Sequence, residues 1–291
     1  MSVYSQQASN VRRTWFLMII FVSLISGLFY ALATVLKQPS LIFVGLAISI
    51  GQSFIGYFFG EGIAISMAGG QEITQVSNPK IYNLVENLSR TGGIPIPKIF
   101  VSPDPSANAF ACGRDPKHAS ICLNQGLIDL LDKNQIEGVI AHELSHIKNR
   151  DTLIMTMVAI LAGVITFITD FGFRAMLWGG DDNDNKSPLV FVFYIILSIL
   201  APIAASLIAM SVSREREFLA DATAVTMTRY PEGLITALEK LYISPVPTEH
   251  YSASTNHFYI APPKQSFGAN IQGWFSTHPK IEERVEALRK M

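Results

Sequence analysis

The sequence predicts a predominantly helical α+β protein: four membrane-crossing helices carrying a polar domain that the chain builds in two separate pieces around a small sheet. Three observations predict it. Only 15% of the 291 residues are charged and 49% are apolar, against about 25% charged in an ordinary soluble domain. The missing charge is concentrated in four runs, at 14–36, 41–59, 152–169 and 187–213. Residues 71–151 and 214–291 have the polarity of water-soluble protein and carry strand-like and helix-like patterns.

A helix needs ~20 apolar residues to cross a ~30 Å hydrocarbon core. The third run, at 18 residues, is short, but it is dense in Ile, Leu, Met and Val and reads as a span. The expected spans are about 14–36 and 41–59, forming an N-terminal hairpin within 1–70, and about 152–172 and 188–213, forming a second hairpin within 152–213. Arg12-Arg13 and Ala31-Leu32-Ala33 mimic a cleavable leader. However, 17 residues separate Arg13 from Ala31, more than the ~7–15 of a leader's apolar core, so the first run is expected to remain as a span. Gly56 and Gly60 form a G-x-x-x-G in the second run, expected to pack inside the chain's own bundle.

Orientation follows the Lys/Arg bias. Arg12, Arg13, Lys80, Lys148, Arg150, Arg214 and Arg216 flank the spans on one side, against Lys37, Arg174 and Lys186 on the other. Both termini and both polar pieces, 71–151 and 214–291, are therefore expected in the cytoplasm. The lipid bilayer is the first partner implied, and a net charge of −1 gives no footprint for nucleic acid.

Within 71–151, Ile81, Leu84, Val85 and Leu88 mark an amphipathic helix stopped at Thr91-Gly92-Gly93. Ile99-Phe100-Val101 reads as a strand. Residues 107–112 and 119–123 read as a hairpin turning at Arg114-Asp115-Pro116-Lys117. Asn134, with Glu137 three residues on, reads as the capping box of a helix carrying Ile136, Val139, Ile140 and Ile147. Cys112 and Cys122 read as two reduced thiols, on neighbouring strands if the hairpin forms. Residues 245–275, rich in Pro, Ser, Asn and Gln, read as a long loop.

His142-Glu143-Leu144-Ser145-His146 is an H-E-x-x-H pattern on that capped helix. Histidines at i and i+4 share a face and can reach one ion. Neutral imidazole suits Zn²⁺, and Glu143 is placed to take a proton from water activated there. A catalytic zinc site takes three protein ligands. The extended pattern with Gly and His at 149 and 152 is absent, since Asn149 and Thr152 stand there. The third ligand must come from far along the chain. Two spans return the chain to the same face at Arg214, so Glu217, four residues beyond the fourth span, falls at the depth of His146. Glu217 and Asp221 lie at i and i+4, one suited to the ion and the other to orienting a ligand histidine. Glu215 is the rival, on another side of the helix between Arg214 and Arg216.

Taken together, these features resemble the HtpX family of membrane heat-shock metalloproteases, relatives of the CAAX prenyl endopeptidases. The resemblance spans nearly the whole chain. It covers the helix hairpin, H-E-x-x-H running into a third span, a fourth span, Arg216-Glu217-Phe218-Leu219-Ala220-Asp221, Asn108-Ala109-Phe110-Ala111, and Thr277-His278-Pro279 with Glu282-Glu283-Arg284. It implies a split zincin-like cytoplasmic metalloprotease domain binding one Zn²⁺ through His142, His146 and Glu217, with Glu143 as catalytic base. It implies that His278 and Arg284 come near the metal. It also implies that Asn108, Ala109, Phe110 and Ala111 form a strand edge pairing with substrate backbone. It further implies a bacterial inner-membrane enzyme that degrades misfolded or damaged membrane proteins under stress, a quality-control role. Lys280 departs from the family, where many relatives repeat Pro.

Two other functions share some of these features. An intramembrane protease would carry its motif inside a span, whereas Lys148, Arg150 and Asp151 follow His146 at once. A receptor or scaffold with structural zinc would want four protein ligands, and His278 is the residue available as a fourth. The remaining histidines, His118, His250 and His257, read as solvated.

Overall fold

The computed structural model describes residues 3–161, 163, 214–243 and 279–291. Two long helices come first, α1 (Val3–Leu36) and α2 (Ser40–Met67), both long and apolar enough to cross a membrane. They pack along each other and turn at Lys37, which adopts left-handed backbone. With 34 residues, α1 is about 50 Å long, well beyond a ~30 Å hydrocarbon core. Its uncharged run begins only at Thr14, so the surplus turns lie at its N-terminal end.

One stripe of small residues on α2, Gly45, Ser49, Ser53, Gly56, Gly60 and Ala64, faces inward. A Cβ on Gly60 would stand 2.8 Å from Thr156, and one on Gly56 3.2 Å from Ile160. Both neighbours belong to α6 (Asp151–Leu161), so the G-x-x-x-G face receives a helix of the same chain, as expected. α6 is the beginning of the expected third span. The rest of that span, the fourth span at about 188–213, the 245–270 loop and His278 lie outside the described residues.

A four-stranded mixed sheet joins the membrane helices to the polar domain. Its strands are β1 (Gln71–Glu72), β2 (Lys98–Ser102), β3 (Ala109–Asp115) and β4 (His118–Asn124), in spatial order β1-β2-β4-β3. β2 and β4 are parallel; the other pairs are antiparallel. The β3–β4 hairpin closes where expected: Asp115 Oδ1 accepts the backbone N–H groups of Lys117 (2.8 Å) and His118 (3.0 Å), an aspartate turn. Gly113, at φ 127°, takes up the irregular register just before it.

The pleat sends alternate side chains to opposite faces, and each face builds a different core. Phe110, Cys112 and Cys122 pack with Leu17, Phe21, Ile65 and Met157 of the membrane helices. Ala109, Ala111, Ile121 and Leu123 pack instead with Val85, Ile140, Leu144 and Leu238 of the polar domain. Both cysteines are free and buried. Burial pushes both thiols up, Cys122 to about 12, so they act as small apolar residues.

The polar domain's helices are α3 (Pro79–Gly92), α4 (Gln125–Leu130), α5 (Lys133–Asn149), α7 (Arg214–Thr228), α8 (Pro231–Ile243) and α9 (Ile281–Leu288). The Asn78 side chain accepts the Ile81 N–H and caps α3, which ends in Gly93 at φ 68°. α5 starts two residues earlier than its sequence suggests. Asp132, not Asn134, is the cap: its carboxylate accepts the N–H groups of Asn134 and Gln135, and Gln135 returns the bond. Both pairs fit the same three-residue spacing, and the Asp132 frame adds a negative charge at the helix's positive end. At Gly138, α5 meets α8 so closely that a Cβ would stand 2.7 Å from the Leu234 nitrogen. α5 is thereby buried at the centre of the domain.

Candidate metal centre

His142 and His146 lie one turn apart on α5, with their Nε2 atoms 3.2 Å from each other. Glu217 on α7 completes a triangle: Oε2 is 3.6 Å from His142 Nε2, and Oε1 is 3.6 Å from His146 Nε2. All three residues are buried. Among the described residues, this is the one group of three or more His, Cys, Asp or Glu whose ligand atoms converge. Glu215 is exposed on the same helix. Ligands held at ~2.0–2.2 Å from a tetrahedral zinc ion stand about 3.3 Å apart. The three observed separations bracket that value, so two imidazoles and a carboxylate fit the ion in both chemistry and spacing.

The other ring nitrogens explain why the Nε2 atoms face one point. His142 Nδ1 lies 2.9 Å from Asp221 Oδ1, and His146 Nδ1 lies 3.0 Å from Asp151 Oδ2. A carboxylate only accepts, so each Nδ1 carries the proton and donates. Each Nε2 is then the nitrogen available to a cation, the arrangement usual for metal-bound histidine.

Arg284, on α9, fixes Asp221 in turn. Its Nε and Nη2 donate to the two carboxylate oxygens at 2.8 and 2.7 Å, a bidentate pair with no exposed surface on the arginine. Although burial works against its charge, Asp221 is held below the usual carboxylate range by the Arg284 guanidinium and by the bonds from His142 and Arg284. The Arg284 guanidinium is thus committed to Asp221, with Nη1 3.6 Å from Glu217 Oε2.

The two histidines differ in their preferred charge. His142 is pushed down by burial and by the charge of Arg284. For His146, burial works in the same direction but is outweighed by the bond to Asp151 and the charge of Glu217, which raise it to about 9. Glu143 is buried between the motif helix and the sheet, and its carboxylate accepts the Ala111 N–H. Burial, reinforced by the negative charge of Glu217, pushes it up to about 8 against the pull of His146.

β3 is the outer strand of the sheet among the described residues and packs against α2 and α5. Asn124 N–H donates to Asn108 O, so residues 108, 110 and 112 bond inward to β4 while 109, 111 and 113 point outward. The Ala111 N–H reaches Glu143, and the Gly113 N–H donates to Thr156 Oγ1 at 3.0 Å. The Phe110 side chain belongs to the membrane-side core.

In the sequence, Asp151 reads only as a charge bordering a span. It reaches His146 because Arg150 adopts left-handed backbone, φ 58°, between α5 and α6 and turns the chain back over the last turn of α5. No glycine marks that corner.

A model of peptidase family M48 matches residues 75–291. A protease HtpX homolog of Tropheryma whipplei (strain Twist) is 39% identical over 290 residues, covering 99% of this chain and 98% of the relative. One from Streptococcus gordonii is 38% identical over 298 residues, covering 99% and 100%. The crystal structure of S. mikatae Ste24p aligns with 98% of this chain and 67% of its own, with a TM-score of 0.51 and 18% identity, a likeness of fold. With the family model covering the motif helix and the helices that supply Glu217 and Arg284, and with relatives matching from end to end, the chain belongs to peptidase family M48, among the HtpX-type membrane metalloproteases.

Proposed function

We propose that the chain is a zinc endopeptidase in which His142, His146 and Glu217 hold one Zn²⁺ and Glu143 is the general base. The observation that carries this reading is the convergence of two Nε2 atoms and one carboxylate, each histidine already committed through Nδ1. When bound, zinc polarises a carbonyl and brings the pKa of a coordinated water toward ~7. The protein's own groups do the rest. Glu143, buried beside the two histidines on the same helix, takes a proton from the attacking water and delivers it to the departing amide nitrogen. Asp221, locked by Arg284, orients His142; Arg284 therefore acts on the metal through Asp221.

The proposed substrate edge is β3 from Asn108 through Ala109, Phe110 and Ala111. An extended chain pairing there would take over the donors now held by Glu143 and Thr156, which places its backbone against the base. Such pairing reads little sequence and suits unfolded membrane-protein segments. Multi-pass insertion in a bacterial inner membrane, with termini and site in the cytoplasm, agrees with the Lys/Arg bias. Glu143→Gln is expected to bind zinc stoichiometrically and to lose peptide-bond cleavage. Cleavage of an unfolded protein within tenfold of wild type would remove Glu143 from the base role.

A further inference from the structure

The projecting end of α1 reaches the metal centre. Asn10, buried in the surplus turns ahead of Arg12, spends its side-chain amide on the α5–α6 corner: Nδ2 donates to Asp151 Oδ1 at 2.6 Å and to Asn149 O at 3.2 Å. The other oxygen of the same Asp151 carboxylate accepts His146 Nδ1. An unbroken chain of hydrogen bonds therefore runs from the first membrane helix to a ligand histidine, joining residues 141 positions apart. We propose that Asn10 is a positioning residue for the metal, acting through Asp151 on His146, so that the first membrane helix is part of the metal site and not only its anchor.

The chemistry of the corner selects an amide. One NH₂ group supplies two donors, and the corner offers two acceptors, the carboxylate and the carbonyl that closes α5. Asp at position 10 would set a carboxylate against a carboxylate. A leucine of similar size would leave both acceptors without these bonds. Arg216, also buried here, lies near enough to Asp151 for its charge to be felt and helps neutralise the corner, but it does not replace the orienting bond to Oδ1. A carboxylate held at one oxygen presents the other in a fixed direction. Partners of this kind set ligand orientation, and their loss typically weakens metal binding by about 10–100-fold.

This inference rests on the zinc reading, and one experiment separates the two. The zinc affinity of the full-length protein in detergent would be measured by competition with a fluorescent chelator. If wild type takes up no stoichiometric zinc, the zinc reading fails. If it does, Asp151→Asn is expected to bind about 10–100-fold more weakly and Asn10→Leu at least about threefold more weakly. Because Asn10 acts through Asp151, the double variant should bind no more weakly than Asp151→Asn alone. Thr14→Ala is the control. Thr14 is buried one turn further along the same helix and its hydroxyl donates to Asn10 O, away from Asp151, so the zinc affinity of this variant should stay within twofold of wild type. Asn10→Leu binding like wild type overturns the proposal, as does a loss that simply adds to that of Asp151→Asn or one that Thr14→Ala reproduces. If Asp151→Asn does not fold, the comparison of Asn10→Leu with Thr14→Ala decides alone.

Discussion

At the scale of single residues, the metal centre is a set of charges that are stable only in company. Asp221 and Arg284 are buried together, and removing the arginine would strand a carboxylate whose uncompensated burial costs about 3–5 kcal/mol. His146 carries the clearest consequence. Its pKa in the folded, metal-free protein is raised to about 9, above the ~6.5 of an unfolded histidine. The stability this contributes is therefore fully present below pH ~6.5 and is lost as pH rises through about 9. A zinc ion needs the neutral ring, so uptake at pH 7.5 is expected to release at least one proton. Apparent zinc affinity should climb by up to about tenfold per pH unit toward pH 9. Calorimetric titration in two buffers of different ionisation heat measures that proton directly. Equal heats in both would show that His146 is already neutral before the metal arrives.

At the scale of elements, what the sequence disclosed was what lies close together in the chain. The i, i+4 histidines, the Asp115 turn and the glycine stop of α3 are local patterns, and each stands where its pattern placed it. The cap of α5 was displaced because Asp132–Gln135 and Asn134–Glu137 obey the same spacing, and only the folded helix chooses between them. The short β1 and α4, and α8 against Gly138, carried too little pattern to stand out. The α5–α6 corner was hidden for another reason: an arginine in left-handed backbone leaves no glycine signal. That conformation costs roughly 1–2 kcal/mol for a non-glycine residue, and it is what returns Asp151 to His146. Arg150→Gly should therefore keep zinc affinity near wild type, whereas Arg150→Val, which resists positive φ, should weaken it by about tenfold or more through loss of the Asp151 partner. Equal affinity in both variants would detach the corner from the metal site. The sheet edge is open to a similar test. Ala109→Pro removes an outward N–H at the first residue of β3, where proline is tolerated, and spares the Ala111–Glu143 bond. It is expected to raise KM for an unfolded protein several-fold while zinc stays bound. An unchanged KM would mean that substrate docks elsewhere.

At the scale of the whole molecule, the sheet belongs to two bodies at once. Hydropathy divides the chain cleanly into apolar runs and polar pieces, and that division suggests a catalytic domain tethered to an anchor. The packing is otherwise. Phe110, Cys112 and Cys122 on one face of β3 and β4 are covered by Leu17, Phe21, Ile65 and Met157; Ser120 Oγ donates to Glu61 of α2 at 2.6 Å; and Asn10 holds the corner beside His146. These contacts link residues dozens to more than a hundred positions apart, which is why no window of sequence revealed them. Stripped of residues 1–70, the remainder would expose an apolar sheet face and lose the amide that steadies Asp151. Contacts of this kind are replaceable without a covalent link, because burial and hydrogen bonding do not depend on chain continuity. A chain beginning at residue 71, made in membranes, is therefore expected to bind zinc at least about tenfold more weakly than the full chain. Co-production of residues 1–70 as a separate hairpin should restore most of the loss, and the same hairpin carrying Asn10→Leu should restore less. Full zinc affinity in the chain beginning at residue 71, without the hairpin, would show that the polar domain holds its metal site unaided and that the membrane helices serve only to anchor it.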